Sequence, residues 1–301
     1  MNRRDLIKAI GAGVGAGVVL SGCANARAGM RDPIAPLRAA ERAAGGRLGA
    51  FVLDTGSGQS FGWRADERFC HCSTFKLSLA AMTLREADAG RLDLRETLAF
   101  SQEDIVAYSP VVEANLDEGK LPIVLLAQAV QITSDNAAAN ILLRRLGGPE
   151  ALTRFWREIG DNTSRLDGYE PSINVIPPGT QENSTTPRVM AETVRRIVLG
   201  DVLREDSRDQ LRGWMAATRS GSKRIRAGLP AEWHGLDKTG TGMRAGIGNK
   251  TNDLAVLMPP IGRSPMVVTG YFENPHFSED VRPEDEAALK LLGKIAAAWS
   301  I

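Results

Sequence analysis

Hydrophobic and polar positions follow two rhythms along this chain, and the change between them divides it. Ile34 to Gly45 puts Leu37 and several alanines on one face of a helix. Leu48 to Leu53 and Ser60 to Trp63 are β-prone runs, joined by Asp54-Thr55-Gly56-Ser57-Gly58, a hairpin signal. From Ser73 to Asp88 the apolar residues Leu77, Leu79, Ala80 and Leu84 recur at helix spacing, and Gly90 ends the run. Leu121 to Ala129, Asn136 to Leu146, Glu150 to Ile159 and Pro187 to Leu199 predict further helices, so the middle is nearly all α. After about Ser220 the rhythm shortens. Trp233 to Lys238, Asp253 to Met258 and Met266 to Glu273 predict strands, and Glu284 to Trp299 a closing helix. The expected fold class is α+β with two domains. An antiparallel sheet built from both ends of the chain (29–67 and 218–301) is flanked by terminal helices and carries an inserted all-α domain (68–217).

The chain has 301 residues, 43% hydrophobic and 24% charged, the balance of a soluble globular protein. With 37 basic and 36 acidic residues it has no net field to draw in nucleic acid or an anionic membrane, so function has to reside in a site. Residues 1–28 read as a signal peptide: a basic start around Arg3-Arg4, then an apolar stretch from Ala9 to Leu20, short of the roughly 20 residues a membrane span needs. The arginine pair resembles a twin-arginine export signal and implies a periplasmic destination. Leu20-Ser21-Gly22-Cys23 resembles a lipobox that would tether the protein through a lipid on Cys23. Small residues around Ala26 and Ala28 offer ordinary release instead.

With Cys23 in the leader, Cys70 and Cys72 remain. Two apart in an extended segment, they would point to opposite sides, and a mutual disulfide would be strained. His71 between them suggests a metal, but no spacing to His234 or His276 makes a zinc site; buried thiols are expected.

Several short patterns compete for the chemistry. Gly58-Gln59-Ser60-Phe61-Gly62 matches a nucleophile elbow but runs from a turn into a strand, where an elbow needs a strand entering a helix. Asp54-Thr55-Gly56 has no second copy to supply the paired carboxylates of an aspartic protease. Ser-x-x-Lys occurs twice. Ser220/Lys223 lies in a polar, glycine-rich loop, whereas Ser73 and Lys76 share a face at the start of an apolar helix. That helix start supplies free N–H groups and a positive dipole end.

Ser134-Asp135-Asn136 opens another helix, and Lys238-Thr239-Gly240 ends a strand. In the order Ser-x-x-Lys, Ser-Asp-Asn, Lys-Thr-Gly, these motifs resemble those of class A β-lactamases and penicillin-binding proteins. The likeness runs from about Ile34 to Ile301 and takes in Tyr108-Ser109-Pro110-Val111 and Arg226-Ala227-Gly228-Leu229-Pro230. Glu170-Pro171-Ser172-Ile173-Asn174 resembles the class A Ω-loop (about 165–183), whose carboxylate and amide hold a water against an acyl-enzyme. Penicillin-binding proteins and β-lactam sensors share Ser73 and Lys76 but lack that arrangement. A D,D-peptidase and a sensor are therefore the rival readings.

The resemblance implies a β-lactam hydrolase that confers antibiotic resistance, acts on small-molecule substrates as a monomer, and needs no metal or cofactor. It implies Ser73 as nucleophile, Lys76 or Glu170 as its base, and Ser134 as proton relay beside Lys238. Glu170 would activate the hydrolytic water with Asn174. Asn136 and Tyr108 would contact substrate, and Thr239, Thr241 and an arginine its carboxylate. The segment after Gly242 is longer than the family pattern, and no arginine stands just before Asn252-Asp253; the Lys223-Arg224 segment resembles that of members supplying their arginine from the strand before, which makes Arg224 the candidate. An Ω-loop salt bridge of many members is absent, its positions being Gly168 and Asn183, so a more mobile loop is expected. Cys72 lies where some carbapenem-hydrolysing members form a disulfide, but the partner position is Gly242.

Overall fold

A computed structural model describes residues 32–299; the leader and lipobox readings lie outside them. Helix α1 (Ile34–Ala44) leads into strands β1 (Arg47–Asp54) and β2 (Ser60–Trp63), a short β3 (Phe69–Cys70) and helix α2 (Phe75–Asp88). Then come β4 (Thr97–Ala99), α3 (Pro110–Glu113), β5 (Lys120–Pro122), α4 (Ile123–Ile132), α5 (Asn136–Leu146) and α6 (Pro149–Glu158). Beyond a long loop lie β6 (Ser184–Thr185), α7 (Pro187–Val198) and α8 (Glu205–Ala216). The chain closes with β7 (His234–Arg244), β8 (Gly248–Met258), β9 (Met266–Asn274) and α9 (Pro283–Trp299).

The main sheet is antiparallel, in the order β2-β1-β9-β8-β7, so strands from the two ends of the chain meet where β1 pairs with β9. Alternation along β1 separates two cores. Leu48, Ala50 and Val52 pack toward the terminal helices with Leu37, Leu289 and Leu292. Phe51 and Leu53 face the other way, joining the helical half with Leu77, Leu126 and Trp156. This is the expected α+β architecture.

The first hairpin forms as its turn residues require: Asp54 Oδ1 accepts from the N–H groups of Gly56 (2.8 Å) and Ser57 (3.0 Å), and Gly58 takes φ +71°. Helix α8 was not legible in the sequence pattern, because it buries only Leu211, Trp214 and Met215 along an otherwise polar run. The long segment after Gly242 is neither loop nor irregular. It extends β7 and β8 into a ladder of eleven continuous pairs, from His234↔Met258 to Arg244↔Gly248.

The expectation for the cysteines is corrected. Both are buried, as expected of thiols, but their sulfurs lie side by side at 3.8 Å. The backbone is not extended there: Cys72 has φ +44°, which curls the chain and brings both side chains to one side.

Candidate active site

Ser73 lies in a short 3-10 turn, Cys72–Thr74, that feeds α2, so the nucleophile candidate sits just ahead of the helix predicted to begin with it. Lys76 is one turn on and fully buried. Its ammonium donates to Ser73 Oγ (3.0 Å), to the Ser134 carbonyl (2.9 Å) and to Asn136 Oδ1, and lies 2.9 Å from Glu170 Oε1. Burial holds the Lys76 pKa below the ordinary lysine range, against the pull of Glu170.

Ser134 arrives from the turn between α4 and α5, with φ +61°. Asp135 fixes that turn: Oδ1 caps α5 at the Ala138 N–H (2.8 Å), and Oδ2 accepts from the N–H groups of Val111 (2.8 Å) and Val112 (3.1 Å). Asn136 ties the same turn to the Tyr108 loop, its Nδ2 donating to the Ala107 carbonyl at 2.7 Å. Tyr108 itself has φ +64° and stands exposed at the rim. Cys72, Tyr108 and Ser134 thus all hold left-handed backbones around one cleft, a strain sustained by the surrounding bonds.

Lys238, on β7, is fully buried and donates to Ser134 Oγ at 3.0 Å. Burial and the nearby Lys76 charge push its pKa well below that of an ordinary lysine. Gly240 follows, and its lack of a side chain is required. A Cβ there would lie 2.8 Å from the His71 carbonyl and 3.1 Å from the Ser73 nitrogen.

Glu170 closes the site from the loop between α6 and β6, through a cis peptide to Pro171. Its Oε1 accepts from Ser73 Oγ (3.2 Å) and its Oε2 from Asn174 Nδ2 (2.5 Å). Asn140 on α5 grips the Glu170 backbone in both directions, at 2.9 Å each way. The absent Ω-loop salt bridge is replaced at the neck. The Asp167 N–H binds Asn183 Oδ1, the Asn183 N–H binds Asp167 Oδ2, and Arg165 pairs with the Asp167 carboxylate.

A cleft of about 750 Å³ is lined by Ser73, Tyr108, Ser134, Asn136, Asn174, Thr239 and Thr241. Arg224 lines it too; its guanidinium donates to the carbonyls of Gly240 (2.9 Å) and Asn252 (2.8 Å) and to Thr241 Oγ1 (2.7 Å). Lys76, Glu170 and Lys238 stand directly behind these groups. The structure therefore brings all eleven sequence-derived candidates to one place. Sequence reasoning gave no role to Asn140, whose contacts are to backbone. It discounted Ser220, which reaches the cleft and shares a 2.6 Å hydrogen bond with Thr239. Packing of the 219–224 loop on β7, with Gly221 against the Asp237 carboxylate, puts it there; no local motif signals that contact.

The architecture and the site both have counterparts among known proteins. The β-lactamase enzyme family matches residues 33–300. β-Lactamase CTX-M-8 of Citrobacter amalonaticus is 38% identical over 270 residues, 90% of this chain and 91% of that protein. β-Lactamase FAR-1 of Nocardia farcinica is 43% identical over 234 residues, covering 78% and 73% respectively. A crystal structure of a β-lactamase from Burkholderia vietnamiensis superimposes with a TM-score of 0.84 at 42% identity, covering 90% of this chain and 97% of that one. An ancestral class A β-lactamase gives 0.82 at 44% identity, over 88% and 98%. The chain belongs to the class A β-lactamase family. Its activity is the hydrolysis of β-lactams, the reaction behind resistance to these antibiotics.

Proposed function

We propose that Ser73 is the acylated residue and Glu170 the base for both halves of the reaction. The observation that carries this is the convergence of Ser73, Lys76, Ser134 and Glu170 in one hydrogen-bonded group against the cleft. Lys76 faces Ser73 Oγ, the Ser134 carbonyl, Asn136 Oδ1 and Glu170 Oε1, more acceptors than the two N–H groups of a neutral amine serve. It is an ammonium in this arrangement, and the Ser73 proton passes to Glu170.

The Ser73 oxygen attacks the lactam carbonyl carbon, and the N–H groups of Ser73 and Thr241 receive the developing oxyanion. As the C–N bond breaks, the ring nitrogen takes a proton from Ser134, whose hydroxyl lies against the Lys238 ammonium. Lys76, between Glu170 and Ser134, refills Ser134 and takes back the proton that Glu170 received from Ser73, which leaves Glu170 a carboxylate again. Glu170 next removes a proton from a water placed with the Asn174 amide, that water attacks the ester carbonyl, and the proton passes from Glu170 to Ser73 Oγ as the ester C–O bond breaks. Arg224, Thr239 and Thr241 bind the substrate carboxylate. Asn136 offers its second amide N–H to the acylamide carbonyl, and Tyr108 covers the ring.

Multiple turnover of a chromogenic cephalosporin tests the assignment. Ser73→Ala should abolish both acylation and turnover, whereas Glu170→Ala should accumulate a covalent adduct in a slow remaining acylation. Undiminished turnover by Glu170→Ala would reject the role of Glu170 in deacylation.

The leader around Arg3-Arg4 supports export of the chain to the periplasm. Radiolabelled palmitate on the wild type but not on Cys23→Ala would establish a lipid tether, and its absence from both would favour release. Large exposed hydrophobic residues such as Leu125 and Ile261 are scattered, which supports a monomer, to be checked by sedimentation.

A further inference from the structure

The Ω-loop turn that carries Asn174 is held by groups outside the motifs. It is a single short turn, Ser172–Asn174, and residues 177–179 and 181–182 beyond it are exposed. Two side chains reach its carbonyls from the sheet side. The Cys70 thiol donates to the Ile173 carbonyl at 3.3 Å, and Lys250 Nζ donates to the Asn174 carbonyl at 3.3 Å. Lys250 sits on β8 directly across from Gly242 and is 2% exposed. Gly242 leaves the niche into which the carbonyl fits: a Cβ there would stand 3.0 Å from the Asn174 oxygen.

An ammonium is expensive to bury, and an apolar side chain of the same length would fill the space without that cost. Its position has to be explained by what it binds. That acceptor is the backbone of the residue whose side chain grips Glu170 Oε2 at 2.5 Å. A charge-assisted bond to the carbonyl fixes where the Asn174 amide, and with it the Glu170 carboxylate, can stand. Lys250 lies behind the cleft wall, so it acts through Asn174 and does not touch substrate.

We propose that Lys250 is a positioning residue for deacylation, anchoring the Asn174 carbonyl so that Asn174 and Glu170 hold the hydrolytic water over the acyl-Ser73 ester. The proposal rests on the assignment of that water to Glu170 and Asn174. The lysine gives the loop a fixed point on the sheet three residues before it becomes exposed at residue 177. Acylation needs Glu170 only through its direct bond to Ser73 Oγ at 3.2 Å, with Asn140 still holding the Glu170 backbone. Deacylation needs a water seated between Glu170 and Asn174, so loss of the anchor falls on the second half of the reaction.

The test is Lys250→Met in the full-length enzyme, read by steady-state kinetics on a penicillin and by intact-protein mass during turnover. A slowed deacylation lowers kcat and KM by the same factor and leaves kcat/KM unchanged. The expected factor is about tenfold or more, the cost of an ångström-scale misplacement of a reacting group, and a covalent adduct should accumulate. Lys250→Gln, which keeps a shorter donor, should fall between wild type and Lys250→Met. It alone decides, by the same ratio, if Lys250→Met does not melt cooperatively. Unchanged kcat overturns the proposal, as does a kcat that falls at constant KM with no adduct. Glu170→Ala is run alongside. If it accumulates adduct and the Lys250 variants do not, only the role of Lys250 fails; if it turns over normally, the water assignment beneath the proposal has failed.

Discussion

Asp167 and Asn183 bind each other twice, backbone to side chain in both directions, each time at 2.8 Å. This pair spans the neck of the Ω-loop where many relatives carry a salt bridge, so the loop that looked unfastened in sequence has a hydrogen-bonded clasp, backed by the Arg165–Asp167 ion pair. Asn183→Ala removes one of the two bonds and puts alanine at φ +46°, a backbone asparagine tolerates better. Hydrogen exchange across 168–183 should quicken by about tenfold, the worth of one such bond and its strain. Asn183→Gly, which relieves the backbone, should show a smaller rise. Equal exchange in wild type and Asn183→Ala would mean the neck is fastened elsewhere.

Arg224 presents its guanidinium to Gly240, Asn252 and Thr241 at the cleft, and is the cation proposed to bind the substrate carboxylate. Arg224→Ala should raise KM for penicillins about tenfold, as expected for loss of a charge-assisted contact, with a smaller change in kcat. Arg224→Lys keeps the charge but not the fork and should fall between. Saturation curves that superimpose on wild type would take Arg224 out of the binding site.

The alkaline limb of the pH profile should report the buried lysines. In the proposed mechanism Lys238 and Lys76 both act as ammonium groups, and burial lowers the pKa of each. Activity should therefore be lost as pH rises through values below the ordinary lysine pKa of about 10.5. Lys238→Arg stays charged through this range. Its limb should move upward even if its absolute rate is lower, and an unmoved limb would assign the titration to Lys76.

Asp237, beneath the site, has its carboxyl pushed up to about 6 by burial, partly offset by Arg226. Its folded pKa thus exceeds its unfolded value near 4. The stability it contributes is complete below the unfolded value and is lost as pH rises through 6. Asp237→Asn should flatten the fall in melting temperature between pH 4 and pH 7. A fall as steep as that of the wild type would place the titration on another group, with the buried Asp253 the first to test.

The catalytic motifs and the sheet made from both ends were legible because each rests on local periodicity or fixed spacing. Ser73 and Lys76 are three apart on one turn, and Leu48, Ala50 and Val52 alternate with Phe51 and Leu53. What sequence did not disclose depends on contacts between distant backbones. Lys250 and Asn140 act on carbonyl or amide groups of the Ω-loop, which carry no residue signature. Ser220 enters the site because its loop packs on β7. The two cysteines share a side only because Cys72 is left-handed, and α8 shows too few apolar positions to declare itself.

The β7–β8 ladder runs without a bulge to Arg244↔Gly248, and Met243 near its tip lines the cleft. Side chains on such a ladder switch faces with every residue. The wall over the substrate thus behaves as a ratchet with a two-residue tooth. Evolution could lengthen or trim it by one matched pair and keep the register, but each pair exchanges which side chain leans over the antibiotic. Substrate range can drift by such steps at the tip while Lys238, Thr239 and Gly240, midway along the same strand, stay in place.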